Sequence, residues 1–260
     1  MINQDRYLAN LGFLQKNFPA IHGRVAALGQ TIATLVVEDG AIVDINLGQG
    51  RLYKDDGRRM AKEQVDVFEA APRRVGYKGV EGVTSDSIVS RRLYHLLVTE
   101  VNELGADKLS FFPQGRASFL FVFGIGLGYH LPLLARKFDV EHIVVVEALD
   151  EFMALSLRSL DWQELAYEMA ERQQTLHLLL GSDPGRVAED INQIVQRQGE
   201  MLLDGAYFFR HYPFWPLEET FQRVLDDVPT RLVGRGYYED ERKMVRHAVV
   251  NLHKQKHYLI

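Results

Sequence analysis

Apolar positions follow two different rhythms along this chain. From Phe119 onward, short apolar runs alternate with amphipathic stretches, which predicts strands over 119–123, 142–147, 175–180, 201–208 and about 229–233. Helices are expected between them near 129–138, 150–171, 184–198 and 216–226, with a last one from about 239 to 258. Parallel neighbours need crossover helices, so five such strands predict an α/β fold: a Rossmann-like, doubly wound, mainly parallel five-stranded sheet.

The earlier half reads differently. Leu8, Leu11, Leu14 and Phe18 form a helical stripe that Pro19 stops. Thr31 to Glu38 and Ala41 to Leu47 are β-rich runs joined by Asp39-Gly40, a two-residue hairpin signal. Arg51 to Tyr53 offers a short third strand, and a helix is expected at about Arg58 to Ala70, ended by Pro72. A glycine-bearing loop spans Val75 to Gly82, and Ser85 or Asp86 caps a further helix through Leu104, with Gly105 as its stop. The expected organisation is a small α+β unit over residues 1–115 followed by the Rossmann-like domain over 116–260.

Candidate chemistry concentrates where the first strand of that domain ends. Phe119-Leu-Phe-Val-Phe is followed by Gly124, Gly126 and Gly128, and the second strand ends in Glu147. In open α/β sheets ligands sit beyond the carboxyl ends of the strands. Alternate glycines let the backbone approach a ligand, the following helix N-terminus offers N–H groups, and a strand-end carboxylate can accept from ribose hydroxyls. The spacing is not the dinucleotide pattern Gly-x-Gly-x-x-Gly, because Tyr129 stands where the last glycine belongs. It fits an S-adenosylmethionine site better than NAD or FAD, with Asp183 after the third strand placed to contact adenine. The same features also serve a sheet that only connects its strands and binds nothing.

Four further groups bear weighing. After the fourth strand, Arg210 and His211 can meet an anion or sugar, while Tyr212 and Trp215 can stack on a ring; equally, aromatic residues and prolines fix a loop to the core. His253 and His257 lie one helical turn apart, but no glutamate follows His253 in the metalloprotease arrangement and no third ligand is evident, so no metal is expected. Arg235, Arg242, Lys243, Arg246, Lys254 and Lys256 make the terminal helix basic, which reads first as a solvated face. Arg73, Arg74 and Lys78 form a weaker anion candidate. No Gly-x-Ser-x-Gly elbow or Walker loop occurs, so hydrolase and P-loop readings have no support.

Composition narrows the classes. The chain of 260 residues is 47% hydrophobic, enough for a substantial core. A net charge of −5 argues against a general nucleic-acid partner. The absence of cysteine removes disulfides, thiolate catalysis and zinc–thiolate sites. The N-terminus has no apolar signal core, and no segment approaches the ~20 apolar residues of a membrane span, so a cytoplasmic protein is expected.

The run Phe-Val-Phe-Gly-Ile-Gly-Leu-Gly-Tyr-His130, then Val-Val-Val-Glu147, then Phe152 to Asp161, resembles the motility accessory factor (Maf) proteins. Leu-Leu-Gly-Ser-Asp183 and the His211-Tyr-Pro213 loop are also similar to that family. The resemblance covers about residues 119 to 258. It implies a bacterial glycosyltransferase that attaches nonulosonic acids to flagellin. The Gly-Pro-Ser-Leu-Asp motif of the family's catalytic core is absent from this sequence, so no catalytic residue carries over. The ending at His257-Tyr-Leu-Ile260 reads as a cut before a further domain or as a stand-alone leading module.

Three readings follow. The first is a non-catalytic docking or scaffold module of such a transferase, with flagellin or a flagellar-assembly protein and a downstream catalytic domain as partners and no certain cofactor. The second is an S-adenosylmethionine-dependent methyltransferase using Gly124, Gly126, Gly128, Glu147 and Asp183. The third is a homo-oligomer whose interface is the sheet edge and the basic helix.

Overall fold

The computed structural model describes residues 3–75 and 116–232. Two helices open the chain, α1 (Gln4–Asn17) and α2 (Pro19–Ala26). The hairpin β1 (Thr34–Glu38) and β2 (Ala41–Asn46) follows, then α3 (Gly57–Ala70) and the two-residue strand β3 (Arg74–Val75). The second half comprises β4 (Arg116–Phe123), α4 (His130–Lys137), β5 (Asp139–Glu147), α5 (Asp150–Ser159) and α6 (Trp162–Glu171). It continues with β6 (Thr175–Leu180), α7 (Pro184–Gln198), a 3-10 turn at Glu200–Leu203, β7 (Ala206–Arg210) and α8 (Trp215–Leu232).

The sheet runs in the order β3-β7-β4-β5-β6, with β7, β4, β5 and β6 parallel and β3 antiparallel to β7. Successive β4 residues point to opposite faces, as the strand period requires. Phe119, Phe121 and Phe123 enter one core with Val144, Val146, α7 and α8. Leu120 and Val122 enter the other with Val145, Trp162, Leu165 and Tyr207. A sheet covered on both faces explains why its strands read as continuous apolar runs. The N-terminal elements join both cores: Ile42, Ile45 and Tyr53 pack on the first, Leu14, Ile21 and Val25 on the second.

Several expectations need correction. The fifth strand is not at 229–233, where residues through Leu232 belong to α8. Buried Leu217, Phe221, Val224, Leu225 and Val228 carry a helical period to that point, which outweighs a short apolar run. The fifth position in the sheet is filled by β3, from the other half of the chain. The fourth strand is Ala206–Arg210, because Asp204-Gly205 turns the chain, with Gly205 at φ 78. The helix expected over 150–171 divides at Leu160, which is extended. Asp161 caps α6 by accepting from Glu164 N–H at 3.0 Å. Buried Asn10 bridges that break, donating to the Leu157 and Leu160 carbonyls, each at 2.8 Å, and accepting from Trp162 N–H at 2.9 Å. Pro19 stops α1 and also starts α2, a position where its missing N–H costs nothing. Arg51 to Tyr53 contributes an isolated bridge, Asn46 to Arg51, and no third strand. The Asp39-Gly40 hairpin forms as read, with φ of 49 and 79 at those residues. The expected helices over 85–104 and 239–258, and most of the 75–82 loop, lie outside the described residues.

Candidate functional site

Strand order reverses between β4 and β7, so the crevice at their carboxyl ends is where such a sheet would hold a ligand. The glycine turn leaves β4 there, and Arg210, His211 and Tyr212 leave β7 beside it. The turn is held back to the sheet by Gly124 N–H donating to Val146 O at 2.8 Å, and the β7 exit by His211 N–H donating to Phe123 O at 2.9 Å.

This crevice is filled by the protein's own side chains. A Cβ on Gly124 would sit 2.6 Å from the Tyr212 ring, one on Gly126 would sit 2.2 Å from the Tyr53 hydroxyl, and one on Gly128 would sit 2.9 Å from Leu160. All three glycines have positive φ, at 99, 52 and 80. They are therefore required both by conformation and by close approach, but what approaches is protein.

Glu147 is fully buried and its carboxylate is spent in the same way. Oε2 accepts from Ile125 N–H at 2.7 Å and more weakly from Gly126 N–H at 3.4 Å. Oε1 accepts from Ala148 N–H at 2.8 Å, Leu149 N–H at 3.0 Å and the Tyr212 hydroxyl at 2.7 Å. Burial pushes its pKa up, and the Tyr212 hydroxyl and the backbone donors pull against that shift. The carboxylate organises the turn and leaves no oxygen turned towards a ribose.

Opposite it lies a chain of hydrogen bonds from distant parts of the sequence. Leu127 N–H donates to the Tyr53 hydroxyl at 2.8 Å, which meets His211 Nε2 at 2.9 Å. His211 Nδ1 meets Gln64 Oε1 at 2.7 Å, and Gln64 Nε2 donates to the His211 carbonyl at 2.8 Å. With the Gln64 oxygen facing the ring, Nδ1 carries the proton and Nε2 accepts from Tyr53, which makes His211 neutral. Burial pushes its pKa down to about 3, consistent with that assignment. Burial also raises the Tyr53 pKa well above its ordinary value. His130 stacks on His211 with ring centroids 3.9 Å apart, and neither of its nitrogens completes a normal hydrogen bond. Its pKa is driven well down, first by burial and then by His211, with the Gly124 backbone giving a small opposing pull.

The remaining sequence candidates disperse. Asp183 is exposed and caps α7, accepting from Gly185 N–H at 2.9 Å and Arg186 N–H at 3.3 Å. Arg210 is exposed and pairs with Glu218 at 2.6 Å. Tyr212 is buried in the turn, whereas Trp215, at the start of α8, is 68% exposed and apart from it. Arg74 donates to the Gly205 carbonyl at 2.8 Å and the Arg116 carbonyl at 2.6 Å, and Arg73 lies over the Phe221 ring. Lys78, His253, His257 and the basic set Arg235, Arg242, Lys243, Arg246, Lys254 and Lys256 lie outside the described residues. Among the described residues no group of three or more His, Asp or Glu side chains converges as a metal site. No helix among them is long and apolar enough to cross a membrane.

Sequence reasoning missed Tyr53, Gln64 and His130. Tyr53 and His211 are separated by 158 positions, and nothing local marks them as neighbours. Asp44 positions Tyr53 by accepting its backbone N–H at 2.9 Å, a contact equally silent in the sequence.

Residues 6–233 match the family model described as the glycosyltransferase Maf N-terminal domain. The chain belongs to the Maf glycosyltransferase family. A Maf glycosyltransferase from Magnetospirillum magneticum AMB-1 has a similar fold, with a TM-score of 0.66 at 22% identity over 94% of this chain. The chain spans only 38% of that solved protein's length. No curated protein gives a significant match. The glycine turn, Glu147 and the Leu160-Asp161 pair on which the Maf resemblance rests lie within the matched residues. The geometry shows what those residues do here: they lock a turn.

Proposed function

We propose that this Maf-family chain is a docking or scaffold module of a flagellin O-glycosyltransferase that uses nonulosonic acids, and that it does no chemistry by itself. The observation supporting this reading is the filled crevice. Glu147 is saturated by four backbone N–H groups and the Tyr212 hydroxyl, while Tyr53, Tyr212 and Leu160 occupy the space over the three glycines. A sheet whose crevice is closed by its own side chains suits a part that positions others. Its partners on this reading are flagellin and a catalytic domain, in the cytoplasm.

The residues as arranged do not fit S-adenosylmethionine, since the ribose acceptor Glu147 is engaged in the turn and Tyr53, Tyr212 and Leu160 fill the space over the three glycines. The test incubates the purified 260-residue chain with an activated nonulosonic acid and flagellin. We expect flagellin binding and no sugar transfer. Transfer by this chain alone would refute the assignment, and absence of any flagellin binding would remove its docking half.

A further inference from the structure

A groove of about 430 Å³ lies beside the filled crevice, between α1, α3, α4 and the α5–α6 junction. Tyr129 forms one wall, and Leu133, Leu160 and Leu165 supply apolar surface. Tyr129 is the residue that replaces the last glycine of a dinucleotide turn. Its ring is fixed by the hydroxyl donating to the Ile42 carbonyl at 2.8 Å.

The charges of the groove are unevenly committed. Arg136 and Glu168 form a two-point pair at 2.6 and 2.8 Å, Asp161 is the α6 cap, and Lys62 is held by Asp66 at 2.6 Å. Glu164 stays on the rim and acts on Arg136. Arg6 and Arg58 have no carboxylate within ion-pair distance among the described residues. Arg58 lies over the Tyr129 ring, 4.3 Å from its centroid, and Arg6 reaches only a long contact of 3.4 Å to the Ser159 carbonyl. Burial raises the Tyr129 pKa, and Arg58 and then Arg6 oppose it, so both guanidinium charges act near one hydroxyl.

We propose that this groove binds a phosphomonoester carried on a ring-bearing small molecule, a nucleoside monophosphate or a sugar phosphate. Two guanidinium groups match the charge and forked geometry of a phosphate dianion better than those of a single carboxylate. Stacking on Tyr129 restrains Arg58 before any ligand arrives, which lowers the ordering cost of binding. The volume exceeds the needs of inorganic phosphate and falls within the ~300–1,000 Å³ usual for small-molecule sites. Pro132 and Leu133, both part-exposed, offer the ring an apolar surface. The inference stands on the groove alone and does not depend on the docking role.

Calorimetric titration of the protein with uridine monophosphate, glucose 1-phosphate and inorganic phosphate tests it. Saturable binding of at least one organic phosphate is expected, and which one binds identifies the source. Arg58→Gln and Arg6→Gln should each weaken it by about tenfold, the effect of one lost charge-assisted contact. Both side chains are exposed, so the variants should fold, with circular dichroism as the check. No saturable binding, or equal binding by the variants, overturns the proposal. Inorganic phosphate binding as tightly as the organic phosphates overturns its ring-recognition half.

Discussion

His130 and His211 are stacked in the interior, both neutral, in a place where a proton has nowhere to go. Their pKa values are driven down by burial, to about 3 for His211 and well below the ordinary value of 6.5 for His130. An unfolded histidine takes up its proton near 6.5, so the unfolded chain binds more protons than the folded one below that pH. The stability these residues permit is therefore intact above 6.5 and is lost as pH falls towards the folded values. At pH 5 a value of about 3 makes His211 cost RT ln(1 + 10^1.5), about 2 kcal/mol, and His130, shifted in the same direction, adds to that loss. That is a large share of a typical total of about 5–15 kcal/mol. Most carboxylates titrate below this window, so it isolates the histidines. His177, pushed down to about 4 by burial and then by His142, adds to the same slope. Burial of Glu147 pushes the other way. Both contributions cancel when the protein is compared with His130→Leu, which keeps an apolar filling and removes one titrating ring. Urea denaturation at pH 7.5 and pH 5 should show the acid loss shrinking in the variant, with an upper bound of about 2 kcal/mol set by complete exclusion of one proton at pH 5. An equal loss in both proteins would mean that His130 accepts a proton in the folded state and that the argument is wrong.

Two further outcomes test the turn itself. Tyr212→Phe removes the hydroxyl donor from Glu147 and should cost about 1.5–3 kcal/mol in urea denaturation; a change below about 0.5 would indicate that the carboxyl is not ionised. Gly126→Ala places a Cβ 2.2 Å from the Tyr53 hydroxyl at a φ of 52 and should destabilise strongly, while adding Tyr53→Phe should recover part of that loss. Strict additivity of the two substitutions would show that Tyr53 does not occupy the space over the glycine.

Much of the fold was legible because it rests on local rules. The two-residue period and continuous apolarity of Phe119 to Phe123 and of Ile143 to Val146 are what strands buried on both faces require. Asp39-Gly40 forces its hairpin through backbone conformation alone, and Asp183-Pro184 starts a helix by capping. Errors came where a local signal was ambiguous or carried two meanings. Pro19 ends one helix and begins the next, and an apolar run near 229 fits a helical period as well as a strand.

The sequence by itself determined the strand–turn–helix opening, the glycines at positions of positive φ, and the carboxylate at the end of the second strand. It could not determine what those glycines face. A glycine says that something comes close, and only tertiary packing says whether that is a cofactor or a tyrosine from elsewhere in the chain. Tyr53, Gln64 and His211 meet because the hairpin and α3 fold over the carboxyl edge of the sheet. Arg6 and Arg58 share a groove because α1 packs on α5 and α6 while α3 packs on α4. Such neighbours are set by the burial of whole elements against each other, and that packing energy leaves no short-range pattern in the chain.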